Sequence, residues 1–281
     1  MPRTPDGLRP LGPPDLPAML ELTARSPVVN VFAEYRTRLT RLDPRWLGGE
    51  VWGYYVAGAL VSACHSAANL VPVEATSEAV RAFAGRTLEQ PRRCATIVGP
   101  SPPVEQMWRV LEPSWGAARE HRPGQLHMER SGPPAVAADT AVRRSTSADL
   151  DVLYPACVAM YTEEVGVSPE AGGAAGLYRA RVAQLIAKGW SFVRIEDGRV
   201  VFKAEIAAAT PYACQVQGVY VAPDRRGEGL ATAGMAAVVE LALRDIAPVV
   251  ALYTNAYNHA ARRAYERVGF VQTDEFTTIM F

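Results

Sequence analysis

Cysteine and histidine are scarce in this chain, with four of each among 281 residues. Cys64, Cys94, Cys157 and Cys214 stand 30 or more positions apart, with no CxxC pair and no histidine at metal-site spacing. His65, His121, His127 and His259 form no ligand pattern either, so no metal site is expected and the cysteines are read as small buried hydrophobes. An excess of one charge is also missing. Lys plus Arg and Asp plus Glu each total 29, which leaves no overall positive field to attract nucleic acid or an anionic membrane. Any anion must therefore be held by a local site. Long apolar runs are absent: stretches such as Tyr54 to Ala63 fall well short of the roughly 20 residues that span a bilayer. The opening MPRTPDGLRP lacks the charged-then-apolar pattern of a signal peptide. A cytoplasmic protein without nucleic-acid or membrane partners is the expectation.

What is present is an ordinary globular composition, 49% hydrophobic and 21% charged, on a length that favours two domains. Six prolines among the first 17 residues make an irregular start, and a helix follows near Leu16 to Ala24. Trp52 to Val56, a turn at Ala57-Gly58 and Ala59 to Cys64 read as a hairpin. A helix from Ser77 to about Phe83 capped at Thr76 or Ser77, a strand at Cys94 to Val98 and a helix at Glu105 to Leu111 come next. Periodicity is lost between His121 and Asp139, a stretch holding Pro123, Gly124, Gly132, Pro133 and Pro134, and the domain boundary is placed there. The expected domains are 1–130 and 140–281.

The second half opens with a strand at Ala141 to Arg144, a Ser147 cap and a helix through Leu150, Leu153, Cys157 and Met160. A glycine-rich loop at Gly166 to Gly176 and a helix near Tyr178 to Lys188 follow. Trp190 to Ile195, the turn Asp197-Gly198 and Val200 to Ala208 form a second hairpin. A strand from Gln217 to Val221 then leads through Ala-Pro-Asp-Arg-Arg-Gly-Glu-Gly into a helix expected to bury Leu230, Ala233, Ala237 and Leu241. Strand, glycine turn and helix start together aim backbone N–H groups into one concavity, a nest for a phosphate or pyrophosphate. There is no GK[ST] after the glycines, and Gly227-Glu-Gly229-Leu-Ala-Thr232 lacks the third glycine of a dinucleotide fingerprint.

The stretch resembles motif A of the GCN5-related N-acetyltransferases, the GNAT family, whose Q/R-x-x-G-x-G/A loop is matched by Arg226, Gly229 and Ala231 after Val219-Tyr220-Val221 and Pro223. The family's later motif is matched by Val249 to Tyr253 and then Asn255, Asn258, Ala261, Tyr265, Glu266, Gly269 and Phe270. The resemblance covers about half the chain. It implies an α/β (α+β) GNAT fold, a mixed twisted sheet flanked by helices, with acetyl-CoA as co-substrate and no metal.

By the same resemblance, Arg225, Arg226, Gly227, Glu228, Gly229, Leu230, Ala231 and Thr232 would surround the pyrophosphate. The strand Val219 to Val221 would splay from its neighbour and present free backbone groups to the pantetheine arm, with Asn255, Asn258, Ala261 and Tyr265 on the other side. Tyr265 would be the general acid for the departing thiolate, against the plainer reading of a packing residue on its helix. Glu205 is the first candidate base, with Glu163 and Glu164 next, although water can also take the proton. An oxyanion would be held by a backbone donor near Val221. Implied is an acyl-CoA-dependent N-acyltransferase acting on a primary amine, of a small molecule or a protein lysine. The alternative is a non-catalytic acyl-CoA-binding sensor. The acceptor amine, acyl-chain preference and oligomeric state are left open.

The first half echoes the second: each has a hairpin opening on tryptophan and later a short strand before a helix. Where the second half has its phosphate loop, the first has Leu70-Val-Pro-Val-Glu-Ala-Thr-Ser, without glycine and with Glu74 and Glu78 nearby. The expectation is a degenerate GNAT-like domain without a CoA site, in a tandem arrangement, against the plainer reading of an unrelated α/β domain.

Overall fold

A computed structural model describes residues 6–281; of the proline-rich start, Met1 to Pro5 lie outside the described residues. In chain order come β1 (Gly7–Pro10), α1 (Leu16–Thr23), α2 (Val31–Thr40), α3 (Pro44–Leu47), β2 (Glu50–Val56), β3 (Ala59–Ser66), β4 (Asn69–Val73), α4 (Ser77–Leu88), β5 (Thr96–Pro100), α5 (Ser101–Trp115) and β6 (Glu120–Arg130). They are followed by β7 (Arg143–Arg144), α6 (Leu150–Val165), α7 (Ala175–Ala187), β8 (Ser191–Glu196), β9 (Arg199–Ala209), β10 (Cys214–Val221), α8 (Leu230–Asp245), β11 (Val250–Thr254), α9 (His259–Val268) and β12 (Val271–Met280). Both runs pass through the same succession: a strand, helices, three strands, a helix, a strand, a helix, a strand.

The chain forms two compact units, and the division is not the contiguous one expected from 1–130 and 140–281. One unit holds the chain up to His127 with Tyr253–Tyr257 and Gln272–Phe281, and the other holds Met128–Leu252 with Asn258–Val271. The last strand explains the difference. β12 pairs antiparallel with β5, from Phe276↔Pro100 to Met280↔Thr96, and so enters the first unit's sheet between β5 and β6.

In the first unit the strand order is β1-β2-β3-β4-β5-β12-β6. Alternation along β2 sends Trp52 to one face and Val51 and Tyr55 to the other, which seeds two cores. Trp52 packs with Phe83, Ile97, Trp108 and Leu111 under α4 and α5. Val51 and Tyr55 pack with Met19, Leu22 and Leu42. The Ala57-Gly58 turn has positive φ at both residues, 52° and 78°, as a two-residue hairpin of right-handed twist demands. The sequence reading missed β1, β4, α2, α3 and β12. It also took residues from His121 on as irregular, whereas Glu120–Arg130 is one strand. Pro123-Gly124 interrupts it, with Gly124 at φ +65°, but burial of Leu126, His127 and Met128 keeps the strand in the sheet.

The second unit orders its strands β11-β10-β9-β8-β7. Strands β7 to β10 are antiparallel neighbours, and β10 runs parallel to β11. Leu153 and Cys157 of α6, Val182 and Ile186 of α7, and Val193 and Val200 of the sheet form its main cluster. α8 lies close on β9: a Cβ at Gly234 would stand 2.7 Å from the Phe202 ring. α8 buries a wider face than expected, Leu230, Gly234 to Val239 and Ala242, while Ala233 and Leu241 are only half-buried. The start of α6 is set by Thr146 and Asp149 rather than Ser147. Asp149 accepts from the Thr146 amide at 2.7 Å and from both Arg143 terminal nitrogens at 2.7 and 2.8 Å. No helix among the described residues is long and apolar enough to cross a membrane.

Candidate active site

β10 runs into an eight-residue connection, residues 222–229, before α8 begins. Pro223–Arg225 make one tight turn, closed by the Arg225 amide donating to Ala222 O at 2.9 Å. Gly227 and Gly229 follow at φ +89° and +84°, in the left-handed region that residues with a Cβ enter at a cost. Gly229 is the N-cap of α8 and has no side chain to cap it. The first α8 bond is Ala233 N to Gly229 O at 3.1 Å, and the amides of Leu230, Ala231 and Thr232 have no partner among the described residues. An anion at this helix start would satisfy those donors and gain from the helix dipole.

The two arginines of the loop are already engaged. Arg225 donates to Glu228 at 2.8 Å and to Glu196 at 2.6 Å, and these carboxylates hold its guanidinium firmly charged. Arg226 donates to Glu163 of α6 at 2.7 Å and to Val221 O at 3.3 Å. Glu163, a secondary candidate base from sequence, is thus the counter-ion of the loop.

β10 itself is irregular where chemistry would occur. Its parallel pairing with β11 covers Cys214↔Val250 and Gln215↔Ala251, and beyond these it pairs, within its unit, with β9 alone. Opposite β9 its register slips between Gln217↔Glu205 and Tyr220↔Lys203, so three steps on β10 face two on β9. Gly218 sits in this bulge at φ +61°, and a Cβ there would approach Met160 Cε to 3.0 Å and Glu205 Cδ to 3.1 Å. The bulge therefore turns backbone groups of residues 218 to 220 out of the ladder beside Glu205.

Glu205 is buried with its carboxylate held at both oxygens. Lys203 Nζ donates to Oε2 at 3.0 Å and Gln217 Nε2 donates to Oε1 at 2.8 Å. Burial alone would raise its pKa, yet the Lys203 charge and these donors bring it below the usual carboxylate range. Lys203 is itself buried and reaches Cys157 Sγ at 3.5 Å; Glu205 keeps it protonated against its own desolvation. Lys203, Gln217, Gly218 and Cys157 were missed as members of this cluster. A signal existed: Lys203 and Glu205 are the two charges, two apart and so on one face, in the otherwise apolar run Val200 to Ala208.

Tyr265 lies on the buried side of α9, edge-on to Phe270 at 6.0 Å. Its hydroxyl makes no hydrogen bond among the described residues. Burial, with the nearby Glu164 charge, pushes its pKa up, so the proton is retained through the neutral range. Asn258 is the N-cap of α9, its Oδ1 accepting from the Ala261 amide at 3.1 Å. Asn255 belongs to the first unit, where its Oδ1 accepts from Gln125 at 2.8 Å. Val219, Tyr220 and Val221 are half-buried along the bulged strand. No three His, Cys, Asp or Glu side chains converge as a metal site among the described residues.

Residues 174–270 match the acetyltransferase (GNAT) family. This GNAT segment contains β10, the glycine loop, α8 and α9, and residues 49–153 match a domain of unknown function, DUF4081. No curated protein matches the chain significantly. Among solved structures, a GNAT-family acetyltransferase of Colwellia psychrerythraea is similar at 14% identity and a TM-score of 0.59, covering 98% of this chain and 99% of its own. A GCN5-related N-acetyltransferase of Sphaerobacter thermophilus is similar at 17% identity and 0.56, over 96% and 93%. A tandem GNAT protein from the clavulanic acid biosynthesis pathway is similar at 17% and 0.55, over 97% and 98%. At such identities the likeness is one of fold. It extends across both halves, and the fold is the mixed α/β one expected, a twisted sheet flanked by helices.

Proposed function

We propose that the GNAT segment is an acyl-CoA-dependent N-acyltransferase that moves an acetyl group from acetyl-CoA to a primary amine. The observation that carries this reading is the uncapped start of α8, where Gly227 and Gly229 leave three amides open beside Arg226 at the end of a bulged strand. These groups fit a pyrophosphate, and residues 219–221 offer backbone groups to an extended amide-bearing arm. In the reaction the amine nitrogen attacks the thioester carbonyl, the C–S bond breaks, the amine loses a proton and the thiolate gains one.

Tyr265 is the donor to the departing sulfur in this scheme. Its free hydroxyl keeps its proton, and in a desolvated site an O–H close to a developing thiolate stabilises it even before transfer is complete. Backbone N–H groups at the Gly218 bulge supply the oxyanion contact. Glu205, held ionised by Lys203 and Gln217, is a weak base; it accepts a hydrogen bond from the incoming amine and water carries the proton away. The rival reading, an acyl-CoA sensor without turnover, is disfavoured by the unoccupied Tyr265 hydroxyl.

Calorimetry with acetyl-CoA and a free-thiol assay against amine panels test the proposal together. Gly229→Asp puts a carboxylate at the helix start, and affinity should fall at least about tenfold, roughly 1.4 kcal/mol. Unchanged affinity in a folded Gly229→Asp protein would sink the donor site. Binding without thiol release on any amine would favour the sensor.

A further inference from the structure

We propose that the acceptor is an amino acid with an apolar side chain, whose own carboxylate is held by Arg181 while its amine lies at Glu205. This rests on the acyltransferase reading above and adds to it the class of amine. In the second unit α6 packs on β9, β10 and α7, and its Met160 and Glu205 of β9 flank Gly218 from two sides. Tyr178 of α7 donates to Cys157 O at 3.1 Å and meets the Tyr161 ring of α6 at 5.5 Å. Cys157 in turn touches Lys203, the partner of Glu205. Two half-buried rings and a thioether thus gather beside the carboxylate that receives the amine.

The charges decide what such a place accepts. Lys203 already balances Glu205, Gln217 takes the other carboxylate oxygen, and Arg226 balances Glu163. Arg181, one turn along α7 from Tyr178, is exposed and makes no hydrogen bond or ion pair among the described residues. Arg179, Arg194 and Arg199, the other arginines from α6 to β10, are each paired with a carboxylate. Burial raises the pKa of both Tyr178 and Glu205, and the Arg181 charge opposes it at both, as a cation set near them must. Glu164 of α6 acts instead on Tyr265, at the end where the sulfur departs. The surplus charge beside Tyr178 is therefore positive. A polyamine or other polycation would bring like charge to Arg181, whereas an amine with its own carboxylate supplies the missing anion. Arginine grips a carboxylate through two parallel N–H groups, which would set the direction of the amine as well as its distance. Met160, Tyr161 and Tyr178 offer apolar surface to the side chain.

Thiol release from acetyl-CoA by the full chain is measured with L-phenylalanine, L-leucine and L-methionine, their methyl esters, phenethylamine and spermidine. The best amino acid should exceed its ester and the plain amines by at least about tenfold in kcat/KM, although the ester amine is the more readily deprotonated. Arg181→Gln should raise KM for that amino acid about tenfold or more while leaving the ester and acetyl-CoA affinity unchanged, and Arg181→Lys should recover part of the loss. Calorimetry with the same amino acids reads the site without turnover and should show the same dependence on Arg181. Equal or better use of an ester, phenethylamine or spermidine, or a native KM in Arg181→Gln, would overturn the amino-acid assignment and leave transfer to amines standing. Binding of an amino acid through Arg181 with no thiol released would uphold the assignment and sink the transferase reading. Neither binding nor thiol release with any of these compounds would overturn both.

Discussion

The two halves run through the same order of elements, and each pairs its fourth strand with its fifth in parallel over two residues: Asn69↔Thr96 and Leu70↔Ile97 in one, Cys214↔Val250 and Gln215↔Ala251 in the other. They part company at the next step. In the first half only residues 74–76 join β4 to α4, and their hydrogen-bonding groups are used up: Ser62 Oγ donates to Glu74 O, the Thr76 amide donates back to Ser62 Oγ, and Thr76 Oγ1 caps α4 by accepting from the Ala79 amide at 3.3 Å. Glu74 adds a carboxylate, tied to Asn30 at 2.7 Å. In the second half eight residues make the same connection and end on a glycine that cannot cap. One fold thus yields a closed helix start or an open one according to whether a threonine or a glycine precedes the helix. We take the closed one to bind no CoA.

The halves also bury different charges, and the sharpest test of that difference is Lys203→Met. It leaves Glu205 buried without its cation, and stability should drop by about 3 to 5 kcal/mol, with Lys203→Met/Glu205→Gln regaining most of it. Chemical denaturation of the two variants checks this, and a single variant as stable as the native chain would show the pair to be unimportant.

Acid should strike the other half. His65 and His127, both in the first unit, are kept neutral by burial with pKa pushed down to about 4 from 6.5. Their folded values lie below the unfolded one, so the stability they contribute is full above pH 6.5 and is lost as pH falls toward 4, by at most about 3 kcal/mol for each. Hydrogen exchange followed over that range should open β3 and β6 before β9 and α8. The reverse order would break the comparison.

Smaller effects probe the open loop and its acid. Tyr265→Phe keeps the ring against Phe270 and removes the proton donor, so turnover should fall about 10²-fold with little change in acetyl-CoA affinity. Near-native turnover would make Tyr265 a packing residue. Smallest of all is Glu163→Gln, which frees Arg226 from an exposed ion pair worth at most about 1 kcal/mol and should tighten acetyl-CoA binding by roughly two- to fivefold. Weaker binding instead would mean that Glu163 orders the loop rather than competing with the donor.

Legibility in the sequence followed locality. Both hairpins were readable because Ala57-Gly58 and Asp197-Gly198 carry their own turn chemistry, and the glycine loop because positive φ at Gly227 and Gly229 leaves a compositional trace. Glu120–Arg130 was not readable, since Pro123 and Gly124 mimic a linker and only burial among distant residues makes the segment a strand. Glu205 was found as a residue but its setting was not, because Gln217, which donates to it, comes from another strand and Cys157, which meets its partner Lys203, comes from a helix.

By itself the sequence determined the two hairpins, the strand–glycine–helix connection before α8 and the positions of Tyr265 and Glu205 on their elements, all properties that a few neighbouring residues specify through period, turn and cap. Only the tertiary structure decided that β12 completes the first unit's sheet, that Asn255 and Asn258 go to different partners, and that Glu205 is an ionised member of a buried pair. These depend on which edge accepts a strand and on which charge meets which after burial, and such energies arise between residues far apart in the chain.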